Sequence, residues 1–334
     1  MNPVQITPWH WAGFILCVLI FLALDLGAFH RRARAVKFKE AAAWSALWVA
    51  LAMAFALSMV FWRGRADAEA FTTGYVIELS LSLDNILVIA LIFAWFRVPV
   101  EFQHRLLFWG VLGALVMRGA MIAVGVALIH QFDWVLYVFG ALLVFAGAKM
   151  FFSKQEMMRP EKNLVLRLVR KFFPVAPDFD GQKFFTRLGG RFALTPLALV
   201  LLLVETTDLI FAVDSVPAVF SVTRKAFIVF TSNVFAILGL RSMYFLLVGA
   251  LGYFRYLKIG LSVVLAFIGA KMLLDPHDHP PQWFQVEIPT SISLLVVAAI
   301  LLISIALSVT AAQREKNAKP RMDTDENLRR NTLR

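Results

Sequence analysis

The sequence predicts an all-α fold, a polytopic transmembrane helix bundle of about nine spans that includes an inverted repeat of three spans. Three observations carry this prediction. The 334-residue chain is 60% hydrophobic and 16% charged, with a mean hydropathy of +0.74, far from the composition of a soluble domain. Its apolar residues fall in runs of about 20, the length that crosses a bilayer. Its basic residues collect between those runs rather than inside them. The net charge of +11 therefore reads as orientation in a lipid bilayer, with no nucleic-acid partner. The single cysteine, Cys17, lies in an apolar run, which excludes an intrachain disulfide and disfavours a thiolate metal site.

In chain order, the first span covers 9–29 and carries Asp25 near its end. Arg31, Arg32, Arg34, Lys37 and Lys39 follow, which places this loop in the cytoplasm and the N-terminus outside. No basic stretch precedes the run, so it is expected to be retained as a span. The second span is 41–62, and Arg63, Arg65, Asp67 and Glu69 form a charge-balanced outer segment. The third (71–96) holds Glu78, Asp84 and Asn85, the fourth (106–129) holds Arg118, and the fifth (132–152) ends in Gly147-Ala148-Lys149-Met150. From 153 to 193 the chain is polar, basic and broken by Pro160, Pro174, Pro177 and Gly181, a cytoplasmic loop where protein partners could dock. Within it, 164–173 has near-helical spacing and reads either as a membrane-surface helix or as an ordinary loop helix.

The sixth span, 194–222, contains Glu205, Asp208 and Asp214. The seventh (226–251) carries Asn233 and Arg241, and the eighth (257–274) carries Gly269-Ala270-Lys271-Met272. Asp275, Asp278 and Glu287 make the next loop acidic and external, the ninth span is 288–311, and a basic tail follows. The resulting layout is N-out and C-in, expected in a bacterial inner membrane, with Arg224 and Lys225 as the exception to the charge rule. The chain divides at 1–70, 71–152, 153–193, 194–275, 276–311 and 312–334. These are two leading spans, a three-span unit, the basic loop, a second three-span unit, the outer loop with the ninth span, and the tail.

The two units resemble each other. Glu78-Leu-Ser-Leu-Ser-Leu-Asp84-Asn85 lines up with Asp208-Leu-Ile-Phe-Ala-Val-Asp214-Ser215, Arg118 with Arg241, and Gly147-Ala-Lys-Met150 with Gly269-Ala-Lys-Met272. An odd number of spans per unit makes consecutive units face opposite ways, the inverted plan of many transporters. Packing alone does not require duplicated acids, because a charge at the bilayer centre costs about 2.5–3.5 kcal/mol even on the mild insertion scale.

Glu205 and Asp208 are three apart and share a helix face. Asp214 lies six beyond Asp208, about 120° round an ideal helix, and the same misfit separates Glu78 from Asp84. Straight helices would not aim every acid at one point. Pro217 cannot donate to the Val213 carbonyl, so a break there is expected to swing Asp214 inward and free a carbonyl ligand. A break in the third span would fall at its Ser residues or Gly74. The donors are all hard oxygens, which suits Mg, Ca or Mn, and all six His lie near span ends or in loops. Of these, His277-Asp278-His279 reads as a solvated outer loop. Arg118 and Arg241 are central and need acidic partners, whereas Lys149 and Lys271 lie near span ends and are expected to snorkel. Against Asp25, Glu78, Asp84, Glu205, Asp208 and Asp214, these four cations leave two negative charges, which one divalent cation would balance. An acid that trades a proton for a metal ion makes an antiporter.

At these residues the chain resembles the TerC family of integral membrane proteins, and within it the Alx-type manganese exporters. The likeness rests on 78–85, on Glu205-x-x-Asp208-x-Ile-Phe-Ala-Val-Asp214-Ser215-x-Pro217-Ala218, on Thr231-Ser-Asn233 through Arg241 to Phe245, and on Phe108-Trp-Gly-Val-Leu-Gly-Ala114 through Arg118. It extends over 9–311. It implies a role in manganese efflux, tellurium resistance or metal loading of exported proteins, and kinship with the LysE transporter superfamily.

The combined expectation is a non-enzymatic exporter of a divalent metal, Mn²⁺ before Ca²⁺ or Mg²⁺, with no organic cofactor. It would work by alternating access, with proton exchange as one means of driving it. Glu78, Asp84, Glu205, Asp208 and Asp214 would be ligands, with Asn85 and Asn233 as neutral donors. Asp25 would serve the inner mouth, and Arg118 and Arg241 would hold the acids when metal is absent. Glu205 aligns with Tyr75 and so stands outside the duplicated frame, which marks it for selectivity. The alternative is a metal-binding membrane scaffold or sensor that supports metal homeostasis or tellurite resistance without transport. A remoter one is an intramembrane aspartyl protease, in which two membrane Asp residues share a proton; the chain has no Gly-x-Gly-Asp segment, and its duplicated acids exceed what a dyad needs.

Overall fold

The computed structural model describes residues 5–29, 38–132, 134–152, 164–248, 256–275 and 285–318. Ten helices and one hairpin occupy them. They are α1 (Pro8–Phe29), α2 (Phe38–Trp62), α3 (Arg65–Trp95), α4 (Val100–Gln131), α5 (Val135–Phe152), α6 (Leu164–Phe172), β1 (Phe185–Leu188), β2 (Arg191–Leu194), α7 (Pro196–Phe220), α8 (Ala226–Val248), α9 (Leu257–Leu274) and α10 (Thr290–Ala318). Among the described residues, eight helices are long and apolar enough to cross a membrane: α2 to α5 and α7 to α10. The first expected span, 9–29, corresponds to α1, whose described apolar part, Pro8–Leu24, is shorter. The chain is a polytopic helical bundle.

Two expectations about local structure are corrected. The charged segment after α2 is not a connector: α3 starts at Arg65, and Arg63–Asp67 and Arg65–Glu69 ion pairs at i,i+4 spacing support its first turns. Nor are the acid-bearing helices broken. α3 and α7 run continuously, with Pro217 inside α7. Pro217 lies in the last turn, where its fixed φ fits a helix and only the Val213 carbonyl loses a donor. Val216, Ala218, Val219 and Phe220 around it are buried, which holds that turn in place.

The bundle centres on α3, α4, α7 and α8. α3 and α4 each pack against both α7 and α8, and α5 packs along α9 in the most extensive helix pairing of the molecule. The helices whose sequences line up touch: α3 with α7, α4 with α8, α5 with α9. The α5–α9 seam is built on small residues. A Cβ on Gly147 would lie 2.8 Å from backbone atoms of Ser262 and Ala266, and one on Gly269 would lie 2.7 Å from backbone atoms of Gly140 and Val144. Only glycine lets the two backbones approach so closely.

At one end of the bundle, Lys225 donates to Asp67 Oδ1 at 2.5 Å, and Arg63 pairs with Asp67 Oδ2 at 2.9 Å. Lys225, an exception to the charge rule in the sequence, thereby shares a buried carboxylate with Arg63. At the opposite end, the basic loop contains the helix that its spacing predicts and a hairpin that it does not. 164–172 is helical, and β1 and β2 form a hairpin around Gly189-Gly190. Both glycines have positive φ (+56° and +81°), the requirement of a tight two-residue turn. The side chain of Asp25, the loops at 30–37, 153–163 and 276–284, and the tail from 319 lie outside the described residues.

Candidate intramembrane cation site

Arg118, near the middle of α4, is 2% exposed and stands between the two three-span units. Its Nη1 donates to Glu78 Oε2 of α3 at 2.6 Å and to the Ser215 hydroxyl of α7 at 3.1 Å. Its Nε and Nη2 form a fork onto Asp208 of α7, at 3.3 Å to Oδ2 and 3.1 Å to Oδ1. Asn85 of α3 donates from Nδ2 to the same Asp208 Oδ1 at 2.6 Å. The planar guanidinium suits this: its donors lie in fixed directions and can serve three partners at once. Glu78, Asn85, Asp208 and Ser215 are all at least 95% buried. The hydrophobic residues around the network fall into two clusters, one containing Tyr75, Ala114 and Val204, the other Ile77, Ile122 and Ala212. The charged residues sit at their seam.

The network leaves donor capacity unused. Glu78 Oε1, Asn85 Oδ1, Ser82 Oγ, Glu205 Oε2 and Asn233 Nδ2 are buried with no hydrogen-bond partner among the described residues. Glu205 lies three residues before Asp208 on the same face of α7 and points at Gly113 of α4, where any Cβ would collide with its carboxylate. A void of about 10 Å³, about one water's worth of probe-occupied space, borders Asn85 and Asp208.

Asp84 and Asp214 do not join this network. Both line a separate cavity of about 510 Å³ together with Lys149, Lys258, Phe145 and Ile210. Lys258 acts electrostatically on Asp84, and Lys149 on Asp214. The unbroken helices explain the division. Six residues of helix turn Asp214 away from Asp208, and Asp84 away from Glu78, by the rotation that the spacing implies. Among the described residues, no group of three or more His, Cys, Asp or Glu is assembled into a metal-ion cluster. The five acids are therefore two sets: Glu78, Asp208 and neighbouring Glu205 about Arg118, and Asp84 with Asp214 beside lysines.

The remaining candidates are dispersed. Asn233 and Arg241 are buried on α8. Lys149 is exposed, consistent with snorkelling, but Lys271 is 4% exposed. It reaches the Ser221 carbonyl at 3.5 Å and Asp275 at 4.0 Å. Lys271 thus answers a carboxylate at its own helix end, which revises the count of four cations against six intramembrane acids. It lines a third cavity, about 330 Å³, with Arg224, Asp275 and Glu287. Lys258 and Ser82 were not picked out from the sequence. Lys258 looks like an ordinary anchor at a span start, and Ser82 like a packing residue between leucines.

Residues 63–316 match the integral membrane protein TerC family, three quarters of the chain. The chain belongs to the TerC family. An uncharacterised membrane protein of Myxococcus xanthus, STKORF319, is 49% identical over 320 residues, covering 96% of both chains. A protein of Escherichia coli K12 that carries the name Alx, with the provisional description membrane-bound redox modulator, is 46% identical over 319 residues, 92% of this chain and 96% of its own. A membrane protein of Rickettsia bellii is 36% identical over 299 residues, 90% of this chain and 96% of its own. No solved structure matches. The acids of the network and their Arg partner lie inside the matched region.

Proposed function

We propose that this TerC-family protein moves a divalent metal cation, Mn²⁺ first among the candidates, across the membrane through the Glu78–Arg118–Asp208 network. One observation carries the reading. Two buried carboxylates, one from each three-span unit, share a single arginine, while carboxylate and amide oxygens at Glu78, Asn85 and Glu205 remain unpartnered. A structural ion pair has no use for those spare oxygens, because each costs about 1–3 kcal/mol when buried without a bond. A hard cation does use them. In this reading Arg118 is the resident counter-ion. An arriving metal displaces it from Glu78 and Asp208 and takes up Asn85 and Glu205. Asp84 and Asp214 serve the approach through the cavity they line, while Asn233 and Arg241 support the network from α8. The touching of equivalent helices supports an inverted arrangement and alternating access about the central charges. With one cysteine the chain has no dithiol, so a redox influence of the kind suggested by the relatives' description would act through the cargo.

The test is Mn²⁺ flux in proteoliposomes. Glu205→Gln leaves the Arg118 ion pairs intact, so it is expected to keep the wild-type melting temperature while flux falls on the order of tenfold or more, a loss of at least one charged ligand. Asp208→Asn is expected to abolish flux. Wild-type flux in both variants would overturn the reading. Tight Mn²⁺ binding without flux in the unmodified chain would favour a metal-binding scaffold or sensor.

A further inference from the structure

The described part of the basic loop, 164–194, sits where α4 and α7 begin, and its contacts set its level relative to the apolar run of α4. The Arg105 guanidinium lies 5.1 Å over the Phe184 ring, and Trp109 meets the same ring edge-on at 6.4 Å. Phe102 meets Phe179 at 5.9 Å. Thr195, the N-cap of α7, donates to the Lys183 carbonyl at 2.7 Å. Arg105 is the last charged residue before the apolar run of α4, and Trp109 is one turn further in. Phe184 thus lies level with the start of the apolar run of α4, and at a membrane boundary that is where aromatic and basic side chains gather.

Beside Phe184 the hairpin presents side chains with nothing over them. Phe185 and Phe192 stack at 5.1 Å and are 55% and 56% exposed. Arg187 is paired across the strands with Phe192, and Leu188 with Arg191, so apolar and cationic groups alternate along the hairpin. On α6, Leu166 is buried against the bundle, while Arg167, Leu168, Arg170, Lys171 and Phe172 are exposed. None of Arg167, Arg170, Lys171, Arg187 and Arg191 has an ion pair among the described residues, so their charge is available to an external anion.

We propose that 164–194 is an interfacial platform that binds anionic phospholipid, with Phe185 and Phe192 at the acyl boundary and Arg170, Lys171, Arg187 and Arg191 against headgroup phosphates. Charge and depth select this occupant together. Unpaired cations call for an anion, and a stacked phenylalanine pair at the hydrocarbon edge calls for an apolar layer beside it. The platform rests on α4 and caps α7, the helices that carry Arg118, Glu205 and Asp208, so the lipid is bound directly against the scaffold of the charged network.

Hydrogen exchange of the full-length protein in nanodiscs tests this. One set of discs is phosphatidylcholine, the other equal parts phosphatidylcholine and phosphatidylglycerol. Exchange across 183–194 is expected to slow by about tenfold in the anionic discs, from two or more basic residues near the surface. Arg187→Gln combined with Arg191→Gln is expected to return it to the rate in neutral discs. These exposed positions make no ion pair, and unchanged exchange in α4 and α7 verifies folding. Equal exchange in both discs would overturn the proposal and turn attention to a protein partner. Retention of the anionic effect by the double variant would overturn it as well. Slowing in neutral discs on addition of inorganic phosphate alone would also overturn it, in favour of a free-anion site.

Discussion

Arg118 of α4 is the side chain that ties α3 to α7. It bonds Glu78 from the first unit and Asp208 from the second, at 2% exposure. Burial makes its removal costly, because both carboxylates would be left uncompensated. Arg118→Met is expected to destabilise the protein by about 3–5 kcal/mol, read as a fall in melting temperature in detergent. Adding Glu78→Gln and Asp208→Asn should recover much of that loss, since no uncompensated charge remains. If Arg118→Met alone leaves the melting temperature unchanged, the network is not the buried contact described. Lysine is a poor substitute, since a point charge cannot fork onto Asp208 while also reaching Glu78.

At the scale of the element, α5 and α9 are held by close backbone approach rather than by large side chains. Gly147→Leu would put carbon within 2.8 Å of backbone atoms of Ser262 and Ala266, neither of which can yield without moving α9. The expected cost is about 1–3 kcal/mol. Gly13→Ala, which meets open space, is the matching control. Beyond the spanning helices, the turn leading into the hairpin carries a pH-sensitive bond. The Thr186 hydroxyl, and then the Lys183 ammonium, donate to Asp180 and hold its carboxyl below its ordinary value of 3.8. A depressed carboxyl stabilises above its unfolded value and loses that contribution as pH falls through the lowered one. Hydrogen-exchange protection of 183–186, corrected for intrinsic rate, should therefore decline below pH 3.8 and become pH-independent in Asp180→Asn.

Considered whole, the molecule is an arrangement of apolar helices around a few buried charges, and the distribution of loop charge predicts its orientation. Trypsin added outside right-side-out vesicles is expected to spare 153–193, whereas in inverted vesicles it should cut there. Cleavage from the outer side would reverse the N-out assignment. Much of the architecture was legible beforehand. The bounds of α9 coincide with the expected 257–274, those of α2, α5 and α7 lie within three residues of the expected runs, and α10 continues seven residues past the expected end at 311. Hydropathy is a local quantity, and in a bilayer it dominates every competing preference. The start of α3 at Arg65 rather than 71 is hidden in the sequence because Arg65, Asp67 and Glu69 form a charged outer segment, and only their i,i+4 pairs show it to be helical. The hairpin was obscured by the prolines and glycine upstream of it, although Gly189-Gly190 was an available signal.

The candidate site divides along the same line. Residence in the membrane, the helical class, the unusual acids and their six-residue spacing were determined by the sequence alone, because each depends on side chains a few positions apart. The same spacing indicated that Asp208 and Asp214 would face different ways on a straight helix. Only the tertiary structure decided that the helices stay straight, that Glu78 and Asp208 share Arg118 while Asp84 and Asp214 line another cavity beside Lys149 and Lys258, and that Lys271 answers Asp275. Those outcomes depend on how helices far apart in the chain rotate and press against one another. That rotation is set by small-residue seams and apolar packing, which leave no mark in the spacing of the charges.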